Sequence, residues 1–175
     1  MKKSILATVI ITLFIGYSSL KAQCREYIKV IAPSAIAPYT LDGNFFAPVV
    51  LEGETVNLKR TFLAGQRYKI MILGMDIWNK KVTITDQDGF VLFRNYVPKK
   101  GNTTQCYYTD YEGNEIPCIG SLSWEFTPKQ SMNLTITVEI EQKAKRKKDR
   151  VQGCLGIVVG FMPADKTKKE ETEEE

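Results

Sequence analysis

Apolar and polar residues alternate most strictly between positions 132 and 141 of this 175-residue chain. A period of two places the apolar side chains on one face of a β-strand and is incompatible with a helix. Residues 121–126 alternate in the same way, and Pro128 then interrupts the pattern because proline has no amide hydrogen to donate. Two half-buried strands joined by a turn or an arch are therefore predicted. The apolar positions of the second strand are Met132, Leu134, Ile136, Val138 and Ile140.

Shorter runs predict further strands. Residues 54–60 alternate cleanly, and residues 67–73 become apolar on both faces, as in a central strand. Asp88-Gly89 lies between two β-rich runs and indicates a hairpin. The final run, 153–161, is continuously apolar, which predicts a strand buried on both faces, with Gly156 and Gly160 allowing close backbone approach.

The region before these strands has a weaker pattern. Residues 26–31 (EYIKVI) predict a first strand, and prolines at positions 33 and 38 favour an extended loop over a helix for residues 32–38. Together the runs predict an all-β fold, a single antiparallel β-sandwich of about eight or nine strands, with almost no helix after the N-terminal leader.

The leader occupies residues 1–22 and has the features of a secretory signal peptide. Lys2 and Lys3 precede an apolar run, 5–16, that is shorter than the roughly 20 residues a bilayer span needs. We expect cleavage near Gln23, a sandwich domain over 23–164, and a periplasmic or secreted location. Residues 165–175 carry three positive and six negative charges and no apolar side chain, so a disordered tail is expected.

The charge of the exported chain is nearly balanced. Removing Lys2, Lys3 and Lys21 leaves 21 basic residues against 20 acidic ones, a net charge of +1. Bulk charge therefore gives no reason to expect a specific nucleic-acid partner.

Four cysteines in an exported chain favour disulfides over metal ligation, because the compartment is oxidising and no Cys-x-x-Cys pair occurs. Three connectivities are possible. We favour Cys106 with Cys118, which bracket a short loop, and Cys24 with Cys154, which lie beside the first and last predicted strands. Free buried thiols are the alternative.

The chain contains no histidine. This absence removes Ser-His-Asp and Cys-His centres, nearly all zinc sites and the commonest general base, and no nucleotide-binding or hydrolase motif is present. A glycosidase can work with two carboxylates, but Glu125, Glu139 and Glu141 fall on the polar side of predicted strands. We therefore expect no enzyme activity, no cofactor and no metal.

Aromatic residues in loops are the candidates for ligand binding. Trp78 follows a predicted strand end and could stack on a ligand, although a partly buried structural role is an alternative. Residues 99–120 lack periodicity and contain Tyr107, Tyr108 and Tyr111. Loops on a rigid scaffold often bind ligands, but the alternative is that these tyrosines cover the end of the core beneath a disulfide.

A basic run follows the strand of residues 132–140. Residues 143–150 contain six positive charges and one negative charge, and we expect them to form the projecting tip of a hairpin. Without aromatic residues such a tip offers electrostatic attraction to anionic surfaces but no stacking. The candidate anion-binding residues are Lys145, Arg146, Lys147 and Lys148.

Four short segments resemble the jelly-roll domains of bacterial pre-peptidase C-terminal modules: residues 62–68 (FLAGQRY), 82–89 (VTITDQDG), 124–128 (WEFTP) and 134–138 (LTITV). They are also similar to small exported proteins of Gram-negative bacteria. The resemblance covers about residues 45–162 and implies a jelly-roll-like sandwich with a non-catalytic accessory role. It transfers no functional residues.

The leading hypothesis is a non-catalytic exported β-sandwich that binds a protein or glycan of the envelope or exterior through its loops. One alternative is a histidine-free, carboxylate-dependent glycan hydrolase, which two buried carboxylates in one cleft would favour. The other is a surface protein that binds anions through residues 143–150.

Overall fold

A computed structural model describes residues 19–98 and 106–164, with side chains from residue 22. The described residues form one helix, a short 3-10 turn (Lys147–Asp149) and eleven strands. Their bounds are α1 Ser19–Ile36, β1 Thr40–Leu41, β2 Val49–Leu51, β3 Thr55–Phe62, β4 Gln66–Met75, β5 Lys80–Thr85, β6 Val91–Arg94, β7 Tyr107–Thr109, β8 Glu115–Pro117, β9 Ser123–Phe126, β10 Met132–Ile140 and β11 Gln152–Pro163.

The strands form two main antiparallel sheets and one hairpin. The first sheet has the order β1-β11-β4-β9, with β2 also pairing with β11; the second has the order β3-β10-β5-β6; β7 and β8 pair with each other. Consecutive strands alternate between the sheets at most steps, which is the jelly-roll arrangement. The predicted all-β antiparallel sandwich is confirmed. Eleven strands replace the expected eight or nine because the β7–β8 hairpin and the short β1 were not anticipated.

The sandwich core lies between the inner faces of the two sheets. Leu134, Ile136 and Val138 of β10, together with Trp124 of β9, belong to its buried cluster. The strict alternation of β10 therefore reflects one face in the core and one in solvent, as predicted. The Asp88-Gly89 signal also corresponds to an observed hairpin, β5–β6, with Gly89 at φ 85°.

The prediction of a first strand at residues 26–31 is wrong, as is that of an extended loop after it. Residues 26–36 belong to helix α1, which contains Pro33, and residues 37 and 38 form a turn after it. Cys24, Ile28, Ala32 and Ile36 recur every four residues and are fully buried, so they form one apolar stripe of a helix. The stripe packs on the outer face of the first sheet, around Val158. Tertiary burial of this stripe outweighs the strand propensity of the β-branched residues.

Strand β11 is buried on both faces because α1 covers its outer side. A Cβ on Gly156 would lie 2.5 Å from Ile28, and one on Gly160 would lie 2.5 Å from Ile36. These glycines therefore allow the close approach of the helix to the strand.

Most of the predicted signal peptide and the whole predicted tail lie outside the described residues. The expected cleavage point near Gln23 falls within α1, but the buried stripe of the helix begins at Cys24. Cleavage there would leave every described buried side chain in place. No helix among residues 19–98 and 106–164 is both long and apolar enough to span a membrane.

Candidate functional site

Trp78 lies in the loop between β4 and β5, and 73% of its surface is exposed. The loop is held on both sides of the tryptophan. Ile77 is buried in the core, and the backbone carbonyl of Ile77 accepts a hydrogen bond from Lys80 Nζ at 3.1 Å. Asn79 Nδ2 donates to Glu141 Oε2 at 2.8 Å. The indole is therefore displayed by an ordered loop.

The backbone on either side of Trp78 is unusual. Asp76 and Asn79 have φ values of 61° and 50°, in the left-handed region. Asp and Asn tolerate this region better than other non-glycine residues, and such conformations concentrate at functional loops. Burial lowers the pKa of Lys80, whose ammonium is directed into this loop.

A groove of about 440 Å³ lies against Trp78, and we call it the Trp78 groove. Tyr96 and Leu122 provide further apolar lining, and Lys81 also lines the groove. Lys81 Nζ and Arg94 Cζ lie 5.8 and 5.6 Å from the centre of the Tyr96 ring, within cation–π range. The Tyr96 hydroxyl lies 3.2 Å from Thr83 Oγ1. The groove thus combines an exposed indole with a second aromatic ring, Tyr96, that has two cations beside it.

The three candidate tyrosines belong to the β7–β8 hairpin but have different surroundings. Tyr107 and Tyr111 are exposed at 53% and 44%. Tyr108 is buried: its ring packs 6.3 Å from that of Phe93, and its hydroxyl lies 3.0 Å from Ser123 Oγ. Tyr108 therefore covers the end of the core, as the alternative interpretation expected, and its ring is not open to a ligand.

The tip of this hairpin is an Asp-centred turn. Asp110 Oδ1 accepts hydrogen bonds from the amides of Glu112 and Asn114 at 3.0 and 2.8 Å. The side-chain hydrogen bond from Asn114 holds the pKa of Asp110 below its ordinary value. The hydrogen bond to Glu112 is the main cause that raises the pKa of Tyr111.

A second groove, of about 460 Å³, runs beside the hairpin tip between Tyr111, Arg67 and Pro163. Trp78 does not line it. The structure therefore places Trp78 and Tyr111 at different grooves, and Tyr107 lines neither of them.

Glu125 of β9 is buried, at 5% exposure, which corrects its expected place on the solvent side. It does face away from the sandwich core, but Tyr39, just after α1, lies over that outer face. Tyr39 donates a hydrogen bond to Glu125 Oε2 at 2.5 Å. Lys69 Nζ and Arg67 Nη2 lie 3.4 and 3.7 Å from the carboxylate. Sequence alternation could not reveal this site because the cover comes from a distant segment.

This cluster, Tyr39–Arg67–Lys69–Glu125, also connects to the β7–β8 hairpin. Arg67 donates through Nε to the Tyr39 hydroxyl at 3.0 Å and through Nη2 to the Thr109 carbonyl at 2.5 Å. Burial, followed by the hydrogen bond to Glu125, raises the pKa of Tyr39 well above its ordinary value. Every charge in the cluster has a partner, which is the arrangement expected of a structural junction.

The basic run connects β10 with β11, which belong to different sheets. The expected hairpin tip is therefore wrong, since this segment crosses from one sheet to the other. Arg146 Nε donates to Asp149 Oδ2 at 2.6 Å, and Arg150 donates to Gln142. Lys145, Lys147 and Lys148 remain exposed.

The structure contains two disulfides, Cys24–Cys154 and Cys106–Cys118. They are the two pairs favoured from the sequence. The first joins helix α1 to β11, and the second closes the base of the β7–β8 hairpin. Among the described residues no group of three or more acidic, histidine or cysteine side chains is placed to hold a metal ion.

No protein-family model and no curated protein matches the chain. Among solved structures, the crystal structure of Aeromonas hydrophila PliG, a periplasmic lysozyme inhibitor of g-type lysozyme, is similar with a TM-score of 0.42 and 14% sequence identity. The alignment covers 71% of this chain and 89% of that chain. A likeness at this level supports no inference about activity or partner. The resemblance to pre-peptidase C-terminal modules is not supported by these comparisons beyond the β-rich fold.

Proposed function

We propose that the protein is an exported, non-catalytic β-sandwich that binds a protein or glycan partner through the Trp78 groove. The observation that supports this most directly is the exposure of Trp78 in an ordered loop beside a groove. Burial of a large apolar side chain is worth about 1.5–3 kcal/mol, so the folded protein gives up this stabilisation. A bound partner would recover it.

The order of the loop favours binding further. The hydrogen bonds of Lys80 and Asn79 fix the backbone beside Trp78 before any ligand arrives. A preorganised aromatic side chain loses little entropy on binding, and tryptophan is enriched among the residues that dominate binding energy.

A carboxylate-dependent hydrolase has weaker support. That reaction needs two carboxyl groups about 5–10 Å apart across a substrate. Among the described residues Glu125 is the only buried carboxylate, and Tyr39, Lys69 and Arg67 already surround it.

Fluorescence of Trp78 tests the proposal. Trp124 is buried, so a ligand in the groove should change chiefly the emission of Trp78. Fractionated envelope glycans and proteins would be titrated into the wild type and into Trp78→Ala. We expect a saturable change in the wild type and an affinity at least about tenfold lower, by calorimetry, in the variant.

Phe90→Ala is the matched control, because Phe90 is 70% exposed but does not line the Trp78 groove. It should bind like the wild type. If every ligand that binds does so equally well to Trp78→Ala, the groove is not the binding site and the proposal fails.

A further inference from the structure

The outer face of the second sheet remains open in the described part of the chain. Helix α1 covers the first sheet, whereas the outward-facing side chains of β3, β5 and β10 are exposed or partly exposed. We call this surface the polar face. Its residues are Thr55, Asn57, Lys59, Thr61, Lys81, Thr83, Thr85, Asn133, Thr135, Thr137 and Glu139.

Hydroxyl and amide groups dominate the polar face. Neighbouring strands bring them together in cross-strand pairs: Thr137 Oγ1 donates to Asn57 Oδ1 at 2.8 Å, and Thr61 Oγ1 donates to Asn133 Oδ1 at 2.6 Å. Threonine is favoured in strands for its shape alone. The grooves at its two ends and its basic side chains distinguish this surface from an ordinary solvated sheet.

A groove lies at each end of the polar face. The Trp78 groove includes Lys81, and a groove of about 550 Å³ at the other end is lined by Lys59, Asn133 and Thr135. Glu139 of β10 lies opposite Lys81, which lines the Trp78 groove, and Thr135 of β10 lines the other groove. The two ends of the face are therefore four residues of β10 apart. At 3.4 Å per residue this distance is about 14 Å. The polar face and both grooves therefore form one continuous surface.

Three basic side chains lie along this surface, and the acidic Glu139 lies opposite one of them, Lys81, in register. Lys59 and Lys81 lie on it, and Arg94 lies beside Thr83 in register. None of the three takes part in an ion pair among the described residues. Glu139 is the one acidic side chain on the three strands of the face. Arg94 Nε is shielded from solvent and has no hydrogen-bond acceptor within the described protein.

We propose that the polar face, continuing from the Trp78 groove, binds an acidic linear glycan whose sugars carry carboxylate groups. Trp78 stacks on a sugar ring at one end, the threonine and asparagine side chains exchange hydrogen bonds with sugar hydroxyls, and Lys81, Arg94 and Lys59 attract the carboxylates. This inference rests on the proposed function of the Trp78 groove and names its ligand class.

The test uses polyuronate oligomers, from disaccharide to octasaccharide, with neutral dextran oligomers of the same lengths. Wild type, Trp78→Ala, Lys59→Gln and Lys29→Gln are compared by calorimetry at low and high salt. Lys29, an exposed lysine of helix α1 that lies 3.9 Å from Glu26, serves as the control. Both lysine substitutions are at exposed positions, and a circular dichroism spectrum checks that each variant is folded.

Wild-type affinity should rise with polyuronate length and fall with salt. Trp78→Ala should weaken binding at every length. Lys59→Gln should lower the affinity for long oligomers alone by about two- to fivefold, the scale of one exposed charge contact. Lys29→Gln should match the wild type. Equal affinity for dextran, or no effect of Lys59→Gln on long oligomers, would overturn the acidic-glycan inference.

The outcomes separate this inference from the proposed function. If no polyuronate binds but another envelope ligand still requires Trp78, the inference about the polar face fails and the groove remains a binding site. If Trp78→Ala leaves all binding unchanged, the proposed function itself fails.

Discussion

Glu125 illustrates how a single carboxylate can be buried in this sandwich. A buried carboxylate is costly unless hydrogen bonds and opposite charges surround it. Here the partners come from two segments distant in sequence from β9: Tyr39 follows helix α1, and Arg67 and Lys69 lie on β4. One side chain thereby fixes the relative positions of a helix end and two strands.

The Tyr39 hydroxyl is the centre of this cluster, so we predict that Tyr39→Phe destabilises the protein by about 1–3 kcal/mol. The substitution keeps the ring but leaves Glu125 Oε2 without its donor and Arg67 Nε without its acceptor. Urea unfolding measures the loss. Tyr107→Phe is the control, because Tyr107 is exposed and should change stability by less than about 0.5 kcal/mol.

The raised pKa of Tyr39 also predicts a pH dependence. In the unfolded chain tyrosine loses its proton near pH 10, whereas folded Tyr39 keeps it to a higher pH. The folded state then binds more protons than the unfolded state, so the contribution of Tyr39 is complete below about pH 10 and declines as the pH rises further.

Unfolding free energies of the wild type and Tyr39→Phe should therefore converge above about pH 10. Lys80, whose pKa is lowered, changes stability in the opposite direction but is present in both proteins. Subtracting the two curves isolates Tyr39. A constant difference up to the alkaline limit would contradict the prediction.

Helix α1 is the element for which local pattern misleads. Residues 26–31 are rich in β-branched and aromatic side chains, which suit a strand as well as a buried helix. The spacing of four that links Cys24, Ile28, Ala32 and Ile36 was the available sign of a helix. A matching spacing separates Gly156 from Gly160, which lie under Ile28 and Ile36. Neither spacing alone shows that the helix packs on these glycines.

This packing predicts that Gly156→Ala destabilises the protein by about 1–3 kcal/mol, because its Cβ would lie 2.5 Å from Ile28 Cδ1. Ile28→Ala alone should cost about 2–5 kcal/mol through the cavity it leaves. In the double variant the new methyl group enters that cavity, so the combined loss should be smaller than the sum. Urea unfolding of the four proteins measures the coupling, and strict additivity would show that the helix does not pack on Gly156.

Element β10 shows the opposite case, in which sequence is sufficient. Its alternation survives unchanged in the structure because both of its neighbours, β3 and β5, pair in a register that keeps the apolar residues on the core side. The polar residues that face out on β10 then align with those of β3 and β5. The polar face follows from the pairing, which the pattern of one strand cannot specify.

For the whole molecule, local signals were sufficient for the fold class but not for the sites. Alternation and turn residues predicted the sandwich, because each strand needs one buried face. Three features depend on which elements are neighbours in the fold. They are the covering of Glu125 on its outer face, the crossing of the basic run from one sheet to the other, and the separation of Trp78 from Tyr111. Long-range pairing between segments determines those features, and the alternation within a single segment does not specify that pairing.

The two disulfides act on different lengths of chain, which gives a comparison within one molecule. Cys24 and Cys154 are 130 residues apart, and Cys106 and Cys118 are 12 apart. The long link joins helix α1 to the central strand of the first sheet, whereas the short one closes the β7–β8 hairpin. In the chain-entropy description the constraint on the unfolded state grows with loop length.

Replacing Cys24 and Cys154 together by serine should therefore cost about 4–5 kcal/mol, against about 3 kcal/mol for the Cys106 and Cys118 pair. Urea unfolding of oxidised protein compares the two double variants, and non-reducing peptide mapping first establishes that each keeps the other disulfide. The larger loss should include the release of α1 from the first sheet, seen as lost protection of the Ile28 and Ala32 amides in hydrogen exchange. A larger loss for the Cys106 and Cys118 pair would contradict the loop-length prediction. Unchanged protection of the Ile28 and Ala32 amides without the Cys24–Cys154 link would show that the packing of Ile28 and Ile36 on Gly156 and Gly160 is sufficient to hold the helix.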